Sequence, residues 1–125
     1  MVSLFLYSAK SSNKRHIPLS AQALEVLQAW QQQSDSMAPD QRVFPADDGR
    51  RLDNVKKSWA SILKRANITG FRWYDMRHDF ASQLVMKGVS LNTVRELCGH
   101  ASMDTTLRYA HLAPDHKQEA IALFG

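Results

Sequence analysis

Cysteine is nearly absent. The 125 residues contain one, Cys98, so no disulfide can form within the chain, and a reducing compartment fits best. A cytoplasmic location is the matching expectation. No apolar run approaches the roughly 18 residues that a membrane-spanning helix requires, so no membrane partner is expected. The opening MVSLFLYSAKSSNKR places its apolar stretch ahead of its positive charges, the reverse of a secretory signal. Neither G-x-x-x-x-G-K-[ST] nor G-x-G-x-x-G occurs, so no nucleotide-binding loop is suggested. Cys98 and His100 stand only two positions apart, which suits neither a tetrahedral zinc site nor one helix face. No elbow motif surrounds a serine, which leaves a serine nucleophile unsupported. Internal repeats and low-complexity tracts are missing too.

What remains is the composition of a globular chain, with 44% hydrophobic and 22% charged residues. The formal net charge is +4 and the pI about 9.5, which favours an anionic partner. The excess is uneven. Residues 1–77 carry 12 basic and 7 acidic side chains, and residues 78–125 carry 4 and 5. Lys14-Arg15, Arg50-Arg51, Lys56-Lys57 and Lys64-Arg65 form basic clusters in the first part. By themselves they read as a solvated face; phosphate neutralisation is the second reading.

Residues 2–9, VSLFLYSA, have the β-branched and aromatic content of a strand. Residues 10–14 are turn material, residues 15–17 form a short return strand, and Pro18 ends it. Ser20 is a candidate cap for a helix over 21–33, with Leu24, Leu27 and Trp30 on one face. A loop over 34–41 and a turn at Asp48-Gly49 follow. A second helix is expected over 54–66, capped by Asp53, with Val55, Trp59, Ile62, Leu63 and Ala66 as its apolar stripe. A third covers 74 or 75 to 87 and stops at Gly88; its apolar side carries Phe80, Ala81, Leu84 and Val85. Ser90 caps a short helix with Leu91, Val94 and Leu97, closed by Gly99. Ser102 caps another, through Met103, Leu107 and Ala110. Pro114 opens a last helix to about 123. The expected fold class is mainly α with a small N-terminal β-hairpin, an α+β arrangement. Residues 1–125 make one partial domain, hairpin over 1–18 and helical part over 20–125.

Arg77, His78, His100, Arg108, Tyr109 and His111 are polar groups near the expected helix starts. Blind to any family, His78 and His111 read as partly buried imidazoles bonded to backbone. Yet YDMRHDFAS (74–82), LCGH (97–100) and LRYAHL (107–112) together resemble the catalytic motifs of the tyrosine recombinase, or phage integrase, family. Tyr109 stands nine positions after His100, as in the family pattern. Lys10 to Leu19, K-x-x-x-x-R-x-I-P-L, resembles the hairpin that carries the family's lysine. The segment from Phe44-Pro45 to Gly70 resembles its connecting region, so the likeness covers nearly the whole chain.

The resemblance implies a DNA breaking-rejoining core and a set of roles. Tyr109 would be the nucleophile, since a phenol can hold a DNA end as a phosphotyrosyl ester. Arg77 would fork onto the scissile phosphate and stay charged. His100 would donate a hydrogen bond to the same phosphate. Lys10 would protonate the departing 5′ oxygen, with Lys14 in the same turn as the competing candidate. No metal or other cofactor is implied. Double-stranded DNA and further recombinase protomers, four on the DNA, are the implied partners. Tyr74 departs from the family, which usually has His there; a phenol with a reference pKa of about 10 is a poor base at pH 7 but can hydrogen-bond phosphate or position Arg77. The family's other phosphate-binding arginine lies upstream of the lysine hairpin. The chain is therefore expected to be the C-terminal portion of a longer recombinase and nearly inactive alone.

Three rivals stand beside this reading. One is a non-catalytic remnant that binds DNA or protein. Another is a helix-turn-helix regulator, for which Leu91–Leu97 has little basic character beyond Arg95. The third is a type IB topoisomerase relative, which LCGH and RYAHL fit less well. The end of the chain either docks in a neighbour or folds back through Ile121, Leu123 and Phe124.

Overall fold

The computed structural model describes residues 3–7, 14–34 and 41–125. Its elements are β1 (Ser3–Tyr7), β2 (Lys14–Pro18), α1 (Ala21–Gln33), α2 (Lys56–Ala66), α3 (Asp75–Met86), α4 (Leu91–Cys98), α5 (Met103–Leu107), a 3₁₀ turn (Ala110–Leu112) and α6 (Lys117–Ala122). This is the mainly helical chain with a small hairpin that the patterning predicts. The contacts gather into two compact units, Met1–Ile62 and Leu63–Gly125.

In the first unit β1 and β2 pair antiparallel, with Ser3 opposite Pro18 and Tyr7 opposite Lys14. The return strand thus runs over Lys14–Pro18, longer than expected, and Pro18 is paired within it. The Ser20 hydroxyl accepts the Ala23 N–H at 3.2 Å and caps α1. Leu24 and Leu27 are half-buried. Trp30 donates its indole N–H to the Val43 carbonyl at 2.6 Å and lies 5.8 Å from the Phe44 ring. The turn at Asp48-Gly49 forms, closed by Gly49 N–H to the Ala46 carbonyl at 2.8 Å.

Helix α2 starts two residues later than the pattern suggests. The Asn54 side chain, not Asp53, accepts an N–H at its start, that of Lys56 at 2.8 Å. Asp53 instead pairs with Arg51 at 3.7 Å. Val55, Trp59 and Leu63 are half-buried, while Ile62 is exposed. The helix ends where Asn67 turns left-handed, φ 56°, and Ile68 N–H reaches back to the Leu63 carbonyl at 2.9 Å. Asparagine tolerates this better than other side-chain-bearing residues, and the long return bond satisfies a terminal carbonyl.

The second unit holds the core. Ala81, Val85, Val94, Cys98 and Tyr109 are buried together, with Leu84, Val89, Leu91 and Leu112 packed against them. Ala81 and Val85 are four positions apart on α3, as are Val94 and Cys98 on α4, so one stripe of each helix faces the core. Phe80, expected on the apolar side of α3, is 47% exposed; Ala81, one residue along, points inward and leaves Phe80 at the edge. Ser90 caps α4 by accepting the Thr93 N–H at 3.2 Å. Ser102 makes no such side-chain bond to α5. That helix stops at Leu107, and Arg108 and Tyr109 lead into the separate 3₁₀ turn. Pro114 lies ahead of α6, whose start is marked by Lys117 N–H bonded to the Asp115 carboxylate at 3.1 Å. Ile121, Leu123 and Phe124 are exposed, Phe124 at 96%, so the fold-back through these side chains is not what the structure shows.

Candidate active site

The site begins at the turn that launches α3. The Asp75 carboxylate accepts the Arg72 backbone N–H at 2.8 Å and the Arg72 guanidinium at 2.8 Å. These bonds hold the Asp75 carboxyl below the usual carboxylate range. The clamp fixes the turn so that Arg77 and His78 emerge from the first turn of the helix. Tyr74 occupies the position before α3 and makes no side-chain cap bond. Its ring lies 5.9 Å from the Arg77 guanidinium carbon, within cation–π reach. The Arg77 Nε is buried and has no hydrogen-bond partner among the described residues. A buried, unpaired donor on a permanent cation is costly unless an anion completes it.

His100 is placed by the end of α4. Gly99 is left-handed, φ 68°, and the His100 N–H returns to the Arg95 carbonyl at 3.0 Å. A side chain at 99 would strain this reversal. The His100 ring is buried, and its Nδ1 lies 2.7 Å from the Thr106 hydroxyl. When that hydroxyl donates, Nε2 keeps the ring proton and can donate in turn. Burial pushes the His100 pKa down, and the positive charges of Arg77, His78 and Arg108 push it further. The imidazole is thereby held neutral.

Tyr109 sits just beyond α5, at the start of the 3₁₀ turn, with its N–H on the Thr106 carbonyl at 3.0 Å. It is 8% exposed. Its hydroxyl is hydrogen-bonded to Nδ1 of His78, whose ring is also in edge contact with Tyr74 at 5.1 Å. Burial raises the Tyr109 pKa, with smaller upward contributions from Cys98 and Tyr74; Arg77 and Arg108 oppose them.

Direct contacts gather the cluster. Tyr74 meets the Arg77 guanidinium and the His78 ring, His78 is bonded to the Tyr109 hydroxyl, and Thr106 meets His100 through its hydroxyl and Tyr109 through its carbonyl. Four of the five residues expected at the site, Tyr74, Arg77, His100 and Tyr109, therefore belong to one neighbourhood of the second unit. The fifth, Lys10, lies outside the described residues. The side chain of Lys14 is not described either, though its backbone pairs in β2. His78 is partly buried, as expected, but its partner is the Tyr109 hydroxyl and not backbone. His111 is exposed. Thr106 was not anticipated. Its signal in sequence is faint: a small hydroxyl residue six positions after His100 and three before Tyr109. Chemically, the cluster offers a phenol hydrogen-bonded to an imidazole, a neutral imidazole with one nitrogen anchored, and two guanidinium groups. Among the described residues no three His, Cys, Asp or Glu side chains are grouped to hold a metal ion. None of their helices is long and apolar enough to cross a membrane.

A buried phenol is hydrogen-bonded to one imidazole and shares its surroundings with two guanidinium groups and a second, neutral imidazole. The chain belongs to the phage integrase family, whose model matches residues 2–116. It is 42% identical to the integrase of Salmonella phage P22 over 84 residues, 67% of this chain and 21% of that protein. It is 33% identical to the tyrosine recombinase XerC of Yersinia pestis over 111 residues, 86% of this chain and 37% of that protein. Among solved structures it resembles the catalytic domain of bacteriophage HP1 integrase, at 27% identity and TM-score 0.66, over 96% of this chain and 63% of that one. It also shares its fold with the XerH site-specific recombinase bound to a palindromic difH substrate, at TM-score 0.73 and 24% identity, over 98% of this chain and 36% of that one. The chain thus spans between about a fifth and two fifths of the length of these curated relatives.

Proposed function

We propose that this chain is the catalytic portion of a site-specific DNA recombinase that cuts and rejoins double-stranded DNA through Tyr109. The observation that carries this reading is the chain of contacts from Arg77 through Tyr74 and His78 to Tyr109, and from Tyr109 through Thr106 to His100; the Arg77 and Arg108 charges suit the double negative charge of a pentacoordinate phosphorus. The Tyr109 oxygen attacks phosphorus and expels the 5′ oxygen, leaving a 3′-phosphotyrosyl end. A 5′ hydroxyl from a second strand reverses the step. The ester retains the bond energy, so rejoining calls for no nucleotide cofactor.

Arg77 brings a cation that keeps its charge and holds a nonbridging oxygen. The unpaired Nε supports this role, because the group is buried and has no acceptor among the described residues. His100, neutral and anchored by Thr106, donates through Nε2. Tyr74, whose ring lies under the Arg77 guanidinium, positions that side chain. Lys10, carried over from the family resemblance alone, supplies the proton for the leaving oxygen. The parent acts in the cytoplasm as a tetramer on DNA, and residues 1–125 work as one partial catalytic domain.

The test is covalent capture. The chain is incubated for long times with a pool of duplexes of randomised sequence, each nicked so that the cleaved end diffuses away. A low yield of detergent-stable adduct is expected, mapped by mass spectrometry to Tyr109 and absent from Tyr109→Phe. No adduct, or one that survives the substitution, would overturn the reading.

A further inference from the structure

We propose that His78 is the general base for Tyr109, taking the phenolic proton on Nδ1 as the Tyr109 oxygen attacks phosphorus. This rests on the reading of Tyr109 as nucleophile. The Tyr109 hydroxyl and His78 Nδ1 are hydrogen-bonded, and a base must be within such reach of the proton it removes. The His78 ring is held on the first turn of α3 and by its edge contact with Tyr74.

The rest of the cluster does not offer an equivalent acceptor. Guanidinium groups have no lone pair to give, which removes Arg77 and Arg108. Nδ1 of His100 is engaged by Thr106. Tyr109 itself is kept protonated at neutral pH by burial, so it arrives at the reaction as an alcohol and not as a phenolate. Its proton needs somewhere to go.

The titratable and charged groups around the pair come from every packed element. They are Tyr74, Asp75 and Arg77 at the start of α3, Cys98 at the end of α4, His100 after it, and Arg108 beside Tyr109. Asp75 is three residues before His78 on the same helix and interacts with its positive charge. The step balances. The Tyr109 O–P bond forms and the P–O5′ bond breaks. The 5′ oxygen leaves with the electron pair and is protonated by an ammonium group or water. The phenolic proton rests on His78. In the return step a 5′ hydroxyl attacks and gives its proton to the amine or hydroxide left by the forward step, while His78 gives the phenolic proton back to the departing Tyr109 oxygen.

The test reads the phenol without DNA. The chain is treated with a small alkyl fluorophosphonate, which forms a Tyr109–phosphorus bond as fluoride leaves, and labelling at Tyr109 is timed by mass spectrometry from pH 5 to 9. The rate should rise through the range in which an imidazole loses its proton. His78→Phe should label on the order of 100-fold more slowly and lose that inflection. His78→Gln, which can still hydrogen-bond the phenol but cannot carry its proton, should be equally slow. Native-rate labelling of His78→Gln would show that the imidazole only positions the ring, and would overturn the proposal. So would an unlabelled native Tyr109, or a native profile without the inflection. Nitrogen-15 NMR of the unaltered chain provides a readout that no substitution can confound: His78 Nδ1 must be the unprotonated nitrogen. DNA capture then separates the two readings. Labelling that depends on His78 without any DNA adduct removes the recombinase and keeps the base. An adduct whose rate and pH profile ignore His78 removes the base and keeps the recombinase.

Discussion

The Tyr109 hydroxyl and His78 Nδ1 are joined by a hydrogen bond that spans 31 positions of sequence. The bond ties the beginning of α3 to the 3₁₀ turn, so it contributes to folding as well as to chemistry. Tyr109→Phe keeps the ring in the core and removes only this contact. A net hydrogen bond is worth about 1 kcal/mol, and urea unfolding of the variant should show a loss of that size with an unchanged slope.

Thr106→Val should be more damaging than its near-identical shape suggests. It leaves the buried Nδ1 of His100 without its partner, at a cost of about 1–3 kcal/mol. Thr106→Ser keeps the hydroxyl and should recover most of this in the same unfolding measurement. DNA adduct formation should follow the same order.

Stability should depend on pH through His100. Its folded pKa lies below the ordinary histidine value of 6.5, so the unfolded chain binds the proton more readily. Stability from this group is therefore full above about 6.5. It declines as the pH falls below that value and levels off once the folded pKa is passed. Tyr109 acts at the other end. Its folded pKa is raised above 10.0, so its contribution is complete below that pH and is lost as pH rises toward the folded value. Denaturant midpoints measured across pH should fall at both ends, and His100→Gln should flatten the acidic one.

Gly99→Ala should cost about 1–2 kcal/mol, the penalty for a side chain in the left-handed region. The equivalent change at α2 runs the other way: Asn67→Gly relieves a strained asparagine, φ 56°, and should be neutral or slightly stabilising. Thermal melting of both variants reads the contrast.

Much of this molecule is written in local signals. Ser20 and Ser90 cap helices because a hydroxyl before an apolar-periodic run has an N–H to accept. Gly88 and Gly99 end helices because a left-handed residue lets the last carbonyls be satisfied. The misreadings share one cause. Asp53 and Asn54 are chemically interchangeable as caps, and only the final path of the chain chose Asn54. Phe80 looks like core by hydrophobicity, but the stripe that packs is set by where α4 lies. At the site, Arg77, His100 and Tyr109 were legible because short motifs fix their spacing. The partners of the two imidazoles were not. Thr106 with His100, and His78 with Tyr109, meet only when separate helices pack, and no periodicity within one element encodes them.

Thr106 grips His100 with its hydroxyl and Tyr109 with its carbonyl. Imidazole and phenol are therefore referenced to a common fixture, and a displacement of α5 carries both together. Their mutual spacing is preserved while their distance to everything else changes, as with two jaws mounted on a single jig.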